Sequence, residues 1–360
     1  MARLEEVCEI LDSKRVPITA KDRVAGPYPY YGANGVQDYV AEYIFDDELV
    51  LLAEDGGHFG SADKPIAYRV SGKCWVNNHA HVLKAKDCID IDYLCYSLMF
   101  RDVSDIVNGA TRQKLTQADM RKIEIPLLPI EEQKSVVAKI SKVFELIALR
   151  KEQLAKLDQL VKSRFVELFG DVSDFVNITD IAHTYIGLVT TMTKHYCNNG
   201  TPLLFNSSIK SDKIVWDGTC LDTEFAEANK SRMHKTNDIV TVHTGDIGTS
   251  AVVGEELNNS LGFATIVTRI NDISRYYPRF VSSFLNYGSG KEQLKKYSRD
   301  VRNNLNLKDF NRLMVPNVSA LEQKRYVDFW EQTDKSKLAI QQSIDKLELL
   351  KKSLMQEYFG

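Results

Sequence analysis

The sequence of 360 residues lacks the segments that mark membrane, secreted and zinc-binding proteins. No apolar run approaches the ~20 residues that a membrane-spanning helix needs, and no signal peptide opens the chain. The six cysteines form no CxxC pair and no metal-ligand spacing, a pattern typical of reduced thiols in a cytosolic protein. We therefore expect a cytoplasmic protein with no membrane association and no metal site.

Motifs of several enzyme classes are also missing. A phosphate-binding GxxxxGK[ST] loop fails at Leu285, where its first glycine belongs, and at Glu292, where Ser or Thr belongs. No Asn-Pro-Pro-Tyr or Asp-Pro-Pro-Tyr tetrapeptide of the amino-methyltransferases occurs, and no Pro-Asp precedes Glu132 as it does in metal-dependent nucleases. His79 and His81 have no third ligand nearby in the sequence. The sequence therefore predicts no catalytic residue.

Positive charge is in short supply, because 46 basic residues face 49 acidic ones and the formal net charge is −3. This balance excludes a generic polyanion binder. Local excesses of basic residues occur in 107–122 and in 290–302. They comprise Arg112, Lys114, Arg121 and Lys122 in the first segment, and Lys291, Lys295, Lys296, Arg299 and Arg302 in the second. Such concentrations favour docking onto phosphates at two places, and a solvated charged surface remains the alternative.

One long stretch of the chain occurs twice. Residues 112–170 align without a gap on residues 302–360, at an offset of 190 positions and with 16 identities in 59 positions. Unrelated sequences would share roughly 3 or 4 residues over this length. The identities extend from Arg112, which recurs as Arg302, to Gly170, which recurs as Gly360. The chain is therefore an internal duplication.

Each copy contains a long stretch without proline or glycine, which predicts a long helix. After Pro129 the next such residue is Gly170, and the acidic pair Glu131 and Glu132 suits a first helical turn. A helix of this length extends roughly 58 Å. Glu132 and Gln133 recur as Glu322 and Gln323, which favours a capping and interhelix role for them.

Apolar residues in both stretches recur at steps of three and four, with Arg150, Arg164, Lys337 and Lys351 at the polar slots. They are Val136, Ile140, Val143, Ile147, Leu154, Leu157, Val161 and Leu168 in the first copy, and Tyr326, Trp330, Ile340, Ile344, Leu347, Leu354 and Tyr358 in the second. A repeat of 3.5 residues over this length predicts a coiled-coil seam, with one copy pairing with the other. A long amphipathic helix on a globular core is the alternative.

The regions before the two helices alternate short strands with turns. Strands are predicted at 48–53, 67–70 and 80–85, with a short helix at 93–100. The loops Gly26–Gly35 and Asp55–Gly60 are predicted to be glycine-punctuated turns that expose polar or aromatic side chains, although tyrosines beside prolines also pack against their own turn. Residues 171–301 repeat this layout loosely: the strand Ile239–His243 leads into the turn Thr244–Gly248.

Three motifs, each present in two cycles, resemble the specificity subunit of type I restriction-modification systems. They are the GATRQKL segment at 109–115, the IPLLPIEEQ segment at 125–133, and the closing Phe169-Gly170. The resemblance covers the whole chain and implies an α+β fold with a pseudo-twofold internal repeat. Two α/β target-recognition domains, 1–122 and 171–312, would be separated by two long antiparallel coiled-coil helices, 123–170 and 313–360.

The resemblance also implies a function in DNA recognition. Each domain would read one half of a bipartite site in double-stranded DNA, with a spacer of fixed length between the halves. Modification (methyltransferase) subunits and restriction (translocase/nuclease) subunits would bind S-adenosylmethionine and ATP and carry out the chemistry, so this chain would need no cofactor. A non-catalytic coiled-coil scaffold for other proteins remains the alternative function.

Polar and aromatic loop residues are the candidate base readers, because Arg suits guanine and Asn or Gln suits adenine. The candidates are Tyr30, Tyr31, Asn34, Arg112 and Lys114 in the first half, and Asn206, Ser207, Thr244, Arg302 and Asn303 in the second. Candidate partner-binding residues are Glu132, Gln133, Glu322 and Gln323. The second copy lacks the second proline and the acidic pair before its helix, so its half is expected to read DNA differently or to be degenerate.

Overall fold

The computed structural model describes residues 1–61, 63–109, 113–298 and 304–360. The chain divides into two compact units. Unit 1 contains Met1–Glu152 and Gln341–Gly360, and unit 2 contains Gln153–Ile340. Both long helices therefore contribute one part to each unit.

The two long helices are Ile130–Phe169, the central helix, and Ala320–Phe359, the C-terminal helix. Each has 40 residues, which confirms the helices predicted from the missing proline and glycine. They begin later than 123 and 313, because short strands precede them. Within the described residues, no helix is both long and apolar enough to cross a membrane.

Unit 1 is built on a six-stranded sheet with the strand order β2-β7-β5-β6-β3-β4. A separate pair joins β1 to β8, and three short helices accompany the strands. The strands are β1 (Ala2–Arg3), β2 (Cys8–Ile10), β3 (Ala25–Gly32), β4 (Gly35–Val40), β5 (Phe45–Ala53), β6 (Ala67–Val76), β7 (Ala80–Ala85) and β8 (Glu124–Ile125). The helices are α1 (Leu4–Val7), α2 (Ile91–Met99) and α3 (Gln117–Met120). The three predicted strands and the predicted short helix are confirmed.

The Gly26–Gly35 segment is not a loop, as the sequence predicted, but a β-hairpin. Strand β3 pairs antiparallel with β4, and a register shift between Ala25 and Tyr28 accommodates Pro27. On its other side β3 pairs with β6 only at Tyr30 and Tyr31, so the prolines need donate no hydrogen bond there. The Pro-Tyr alternation resembles a turn in composition and gives an irregular strand in the fold.

Unit 2 contains two four-stranded sheets, with the orders β10-β19-β16-β17 and β11-β15-β12-β18. The remaining strands form the pairs β13-β14 and β9-β20. The strands are β9 (Phe175–Asn177), β10 (Ala182–Ile186), β11 (Tyr196–Cys197), β12 (Thr201–Leu204), β13 (Ile209–Lys210), β14 (Lys213–Ile214), β15 (Cys220–Leu221), β16 (Ile239–Val242), β17 (Ser250–Val252), β18 (Leu261–Gly262), β19 (Thr265–Ile270) and β20 (Met314–Pro316). The short helices are α4 (Ile178–Ile181), α5 (Thr223–Ala228), α6 (Pro278–Tyr287), α7 (Gly290–Tyr297) and α8 (Leu307–Phe310).

In unit 1 the two long helices run antiparallel. Lys139 donates to the Tyr358 hydroxyl at 3.1 Å, and further along Lys151 contacts Glu348 at 3.2 Å. The central helix also packs on the sheet-bearing core through residues such as Ile140. Both sequence interpretations, a helix pair and a helix on a globular core, therefore apply together.

In unit 2 the helices are again antiparallel, since Asp158 pairs with Lys337 at 2.6 Å while the Phe165 ring meets the Tyr326 ring. Phe165 and Phe169 are buried in the unit 2 core. Leu168, predicted to lie in the seam, is 39% exposed. That prediction is wrong because the last turns of the central helix bury their phenylalanines against the domain rather than continuing the heptad.

Candidate nucleic-acid interface

A buried glutamine attaches the central helix to the unit 1 domain. Gln133 accepts from the backbone N–H of Asp90 at 2.8 Å through its Oε1. Its Nε2 donates to the backbone carbonyls of Cys88 at 3.1 Å and Leu128 at 2.7 Å. Asp90 caps helix α2 by accepting from the N–H groups of Asp92 and Tyr93, so one side chain connects two helix starts.

Gln323 repeats this arrangement in unit 2. Its Oε1 accepts from Tyr277 N at 3.0 Å, and its Nε2 donates to the carbonyls of Arg275 and Val318. Both glutamines have no exposed surface. The prediction that Gln133 and Gln323 contact a partner subunit is therefore wrong, because every polar atom of each side chain bonds inside its own unit.

The glutamate that precedes each glutamine is exposed. Glu322 forms a capping box with Ser319: its carboxylate accepts from Ser319 N at 3.1 Å, and Glu322 N donates to Ser319 Oγ at 3.2 Å. Hydrogen bonds from Ser319 lower the pKa of Glu322. The predicted capping role is confirmed for Glu322, and a partner contact of Glu132 or Glu322 stays a prediction.

A strand end meets the start of the duplicated segment in each unit. In the first junction, Leu115 N donates to Glu54 O at 2.7 Å, and an isolated antiparallel β-bridge pairs the backbones of Asp55 and Lys114. In the second junction, Leu305 N donates to His243 O at 3.0 Å, and an isolated antiparallel β-bridge pairs the backbones of Thr244 and Asn304. Leu115 and Leu305 are related by the 190-residue offset of the repeat, so the two junctions share one backbone construction.

A capped short helix fixes the backbone after each junction. Thr116 Oγ1 accepts from Asp119 N at 3.2 Å at the start of α3, and Asn306 Oδ1 accepts from Asp309 N at 2.8 Å at the start of α8. The repeated aspartate thus has a local structural role in both copies. The side chains at the junctions differ, however, with Lys114 in one unit and Asn304 in the other.

Two of the predicted base readers lie exposed around the first junction. Asn34 is exposed at the β3–β4 turn, and its Nδ2 donates to Gly56 O at 3.0 Å. The Lys114 side chain is 51% exposed and pairs with Glu54 at 2.9 Å. His79 Nδ1 lies 2.8 Å from an Asp55 carboxylate oxygen. The fold thus brings an amide, an ammonium and an imidazole together around the Asp55–Gly60 loop.

The two tyrosines predicted as base readers beside Asn34 pack wholly or partly inside unit 1. Tyr30 is 1% exposed, and its hydroxyl accepts from Ile18 N at 3.1 Å. The Arg23 guanidinium lies 4.2 Å from the Tyr30 ring centroid. Tyr31 is half-buried against Tyr68, and burial raises its pKa. The expectation of an exposed Tyr30 is wrong, because strand alternation turns its ring into the unit.

Beneath Lys114 lies a buried charged cluster of Asp12, Arg15, Glu54 and His81, which the sequence analysis did not find. His81 Nδ1 is 2.6 Å from Asp12 Oδ2, and its Nε2 is 2.9 Å from the carbonyl oxygen of Leu115. The His81 ring thus lies between a carboxylate and a backbone carbonyl. Arg15 donates to Glu54 at 2.6 Å. The cluster therefore connects the junction to the sheet.

Opposing effects act on the two carboxyl groups of this cluster. Burial raises the pKa of Asp12, but its hydrogen bond and charge interaction with His81 outweigh burial and lower it. Burial likewise raises the pKa of Glu54, whereas hydrogen bonds from Lys114 and Arg15 bring it below its usual value. Ligand atoms of Asp12, Glu54 and His81 lie within 4.8 Å of one another, as metal ligands do. Arginine and lysine already neutralise these carboxylates, so the arrangement is that of an ion network.

The second junction opens onto a cleft of about 440 Å³. Three predicted base readers, Asn206, Ser207 and Thr244, line it together. Asn206 Oδ1 accepts from His243 N at 3.1 Å, which ties the two loops that carry these residues. Asn206 is half-buried, whereas Ser207 and Thr244 are exposed. Sequence reasoning thus found three side chains of one surface.

Further cleft residues were not predicted. Asp246 pairs with Lys291 at 2.6 Å and accepts from Thr249 Oγ1 at 2.6 Å. These hydrogen bonds lower the pKa of Asp246. Lys210 and Ser211 also line the cleft. Two of these residues had a sequence signal, since Asp246 lies in the predicted Thr244–Gly248 turn and Lys291 in the basic segment 290–302.

Three predicted readers, Arg112, Arg302 and Asn303, lie outside the described residues. So does Arg299 of the second basic segment. Among the described members of the two segments, Lys122 pairs with Asp119 at 3.3 Å and Lys291 with Asp246. The predicted phosphate contacts of these segments stay predictions.

The family model described as the type I restriction modification DNA specificity domain matches residues 1–159 of this chain. A putative type I restriction enzyme specificity subunit from Haemophilus influenzae is 38% identical over 134 residues, covering 37% of this chain and 34% of that protein. The MjaVIII type I restriction enzyme specificity subunit from Methanocaldococcus jannaschii is 22% identical over 272 residues, covering 67% and 62%. The chain thus spans about a third of the first relative and under two thirds of the second.

Solved structures match the entire chain. The S subunit of a type I restriction-modification system from M. genitalium superposes with a TM-score of 0.62 at 14% identity, covering 100% of this chain and 95% of that one. A chain from a study of complex assembly and conformational transition of the type I R-M system gives a TM-score of 0.60 at 16% identity, covering 99% and 96%. These likenesses show the fold, and they confirm the predicted fold class.

Proposed function

We propose that this chain is the sequence-reading subunit of a type I restriction-modification complex, because residues 1–159 match the type I restriction modification DNA specificity domain and the whole chain has the fold of type I S subunits. It binds double-stranded DNA through both units. Each unit reads one half of a bipartite site, and a spacer of fixed length separates the halves.

The repeated junction carries this proposal. Glu54 and Leu115 in unit 1, and His243 and Leu305 in unit 2, make the same backbone bond. Different side chains surround that bond: Asn34 and Lys114 in one case, and the Asn206–Thr244 cleft in the other. A common frame with different hydrogen-bonding groups is what recognition of two different base sequences requires.

Exposed leucines on the long helices support the proposal that this chain binds protein partners. Leu349 is 68% exposed and Leu149 is 47% exposed in unit 1, and Leu338 is 61% exposed in unit 2. Exposed apolar surface on a helix can be covered by a protein partner. We propose that modification subunits bind these helix surfaces and that restriction subunits join the same complex.

The proposal assigns no catalytic step to this chain. Methyl transfer from S-adenosylmethionine and ATP-dependent cleavage belong to the partner subunits, and the loops of this chain position the DNA for them. The alternative, a coiled-coil scaffold, also accounts for the exposed leucines. It does not account for two differently decorated junctions built on one frame.

A map of methylated adenines tests the proposal. The chain is expressed with its modification partner in a host that lacks DNA methylation, and the host genome is sequenced for modified adenine. We expect a single bipartite motif with a spacer of constant length. Exchange of residues 1–122 for those of another specificity subunit should change one half-site only.

The scaffold alternative gives a different result in the same experiment. If the two proteins co-purify as a stable complex and no methylated motif appears, the scaffold becomes the better account. A motif that changes in both halves after the exchange of residues 1–122 would contradict the assignment of one half-site to each unit.

A further inference from the structure

Asp212 occupies the tight turn between β13 and β14 in a backbone conformation that side-chain-bearing residues seldom adopt, with a φ of 66°. Its side chain is 8% exposed. The carboxylate accepts from Trp330 Nε1 at 3.1 Å, from Asn286 Nδ2 at 3.1 Å and from the Tyr287 hydroxyl. Arg279 lies 3.5 Å away as an ion-pair partner. A strained turn held by so many groups is typical of a functional position.

These partners come from two helices of unit 2. Arg279, Asn286 and Tyr287 belong to helix α6, whereas Trp330 belongs to the C-terminal helix. The Arg279 guanidinium stacks 3.7 Å from the Trp330 ring centroid. Burial lowers the pKa of Arg279, and burial together with Asp212 raises that of Tyr287. Asp212 is thus the carboxylate that connects the turn to both helices.

The same turn forms one wall of the cleft beside the second junction. Lys210 and Ser211, immediately before Asp212, line that cleft. Thr249 lines the cleft as well, and the next residue, Ser250, accepts from Asp212 N at 3.1 Å through its carbonyl.

Asn286 joins these two lining segments. Its Nδ2 donates to both the Asp212 carboxylate and Ser250 O, the latter at 2.9 Å, while its Oδ1 accepts from Ser250 N at 3.0 Å. The position of Lys210 and Ser211 relative to Thr249 therefore depends on Asp212 and Asn286.

We infer that Asp212 is a positioning residue for recognition of the second half-site: it fixes the cleft width and links the cleft to the C-terminal helix through Trp330. This inference rests on the proposed function. The repeat relates Trp330 to Ile140, a buried apolar residue that cannot donate a hydrogen bond. The effect is therefore confined to the second half-site.

The test is the methylated-adenine map of an Asp212→Asn variant with its modification partner. Asn tolerates the positive φ, so the turn is retained while the charge opposite Arg279 is lost. We expect methylation of sites with one altered base in the second half to rise at least tenfold relative to the cognate site. Recognition of the first half and the spacer should stay unchanged.

Two further variants complete the experiment. Trp330→Phe removes the indole N–H and retains an aromatic ring, and should relax the second half-site in the same direction by a smaller factor. Asp328→Asn on the same helix removes only the exposed pairing with Lys324, and should leave the motif unchanged.

The possible results separate the inference from the proposed function. If the chain without any substitution gives no bipartite methylation motif, the proposed function is overturned. If that motif is present but both Asp212→Asn and Trp330→Phe keep full selectivity, the positioning inference is wrong. A uniform fall in methylation that leaves second-half selectivity intact also overturns it, because that is the result of general destabilisation. Should Asp212→Asn fail to fold, Trp330→Phe decides.

Discussion

The two units differ most where they face the predicted DNA and least where they meet the long helices. Gln133 and Gln323 make the same three hydrogen bonds to equivalent backbone groups. The side chains at the two junctions share no such correspondence. A buried glutamine that satisfies three backbone groups leaves little freedom for substitution, whereas an exposed junction residue changes at small cost to stability.

The interior beneath each junction differs as well. In the sheet of unit 1, His81 lies opposite Leu52 and holds the buried ion network. In unit 2 the residue opposite Thr241 is Ile266, which is buried and apolar. Unit 2 instead buries a neutral histidine, His234, and hydroxyl groups such as that of Thr265. At this position of the sheet, unit 1 therefore has a buried histidine in an ion network, and unit 2 has an apolar side chain.

The largest effect is expected from breaking what the units share. Replacing Gln133 with Leu leaves one N–H group and two carbonyls buried without partners, which should destabilise unit 1 by roughly 3 to 5 kcal/mol. Gln323→Leu should destabilise unit 2 by a smaller amount, because the Val318 carbonyl keeps its hydrogen bond from Arg275 Nη1 at 2.6 Å. Hydrogen exchange measured by mass spectrometry resolves the two units, and the exposed neighbour change Glu132→Gln is the control. A cost below about 1 kcal/mol for both glutamines would contradict the role assigned to them.

The next largest effect is a difference between the two units in how their stability changes as the pH falls. Burial lowers the pKa of His234 from 6.5 to about 4. The unfolded chain then binds the proton more readily than the folded one, so unit 2 should lose about 3 kcal/mol as the pH falls from 6.5 to 4. The pKa values of Asp12 and Glu54 are lowered in the folded protein. These two carboxylates therefore stabilise unit 1 at higher pH, and their contribution is lost only as the pH falls below about 4.

Hydrogen exchange across this pH range measures both responses. His234→Asn retains a group that can bond to Ser260 and should flatten the pH dependence of unit 2. His195→Gln, a change at a partly exposed histidine paired with Asp222, should leave that dependence in place. An unchanged slope in His234→Asn would rule out His234 as its source.

Reading residues should have smaller effects, each limited to one half-site. Lys114→Ala and Thr244→Val remove one hydrogen-bonding group at the first and second junction respectively. Each should reduce discrimination at its own half-site by about 1 to 3 kcal/mol, while the other half keeps its selectivity. The methylated-adenine map measures both, and Lys84→Ala, which removes a unit 1 lysine paired with Asp47, is the control. Loss of selectivity in both halves from one substitution would refute the division between units.

The smallest effect concerns the hydroxyl groups in the unit 2 interior. Thr265 Oγ1 is buried without a hydrogen-bond partner among the described residues. Thr265→Val should therefore stabilise unit 2 by up to about 1 kcal/mol. Thr241 Oγ1 bonds to Ser250 Oγ at 2.9 Å, so the matched change Thr241→Val should destabilise it by about 1 kcal/mol. Thermal unfolding of the two variants should shift in opposite directions.

The sequence was most informative about elements that depend on local chemistry. Forty residues without proline or glycine, with apolar residues at helical spacing, form a helix because each residue bonds only to neighbours along the chain. Strands β5 and β7 were predictable for another reason, because a strand buried on both faces is a short continuous apolar run. The irregular strand β3 did not, because its prolines and glycines resemble a turn and only pairing with β4 makes it a strand.

The duplication, the two long helices and the lack of enzyme motifs were thus determined by the sequence itself, since repetition and periodicity are visible without a fold. The role of Gln133, the burial of Tyr30, the His81 ion network and the Asp212 turn were decided only by tertiary structure. Each depends on groups brought together from distant positions: 118 residues separate Asp212 from Trp330. No local pattern encodes such contacts, because their geometry exists only once the sheets and helices have packed.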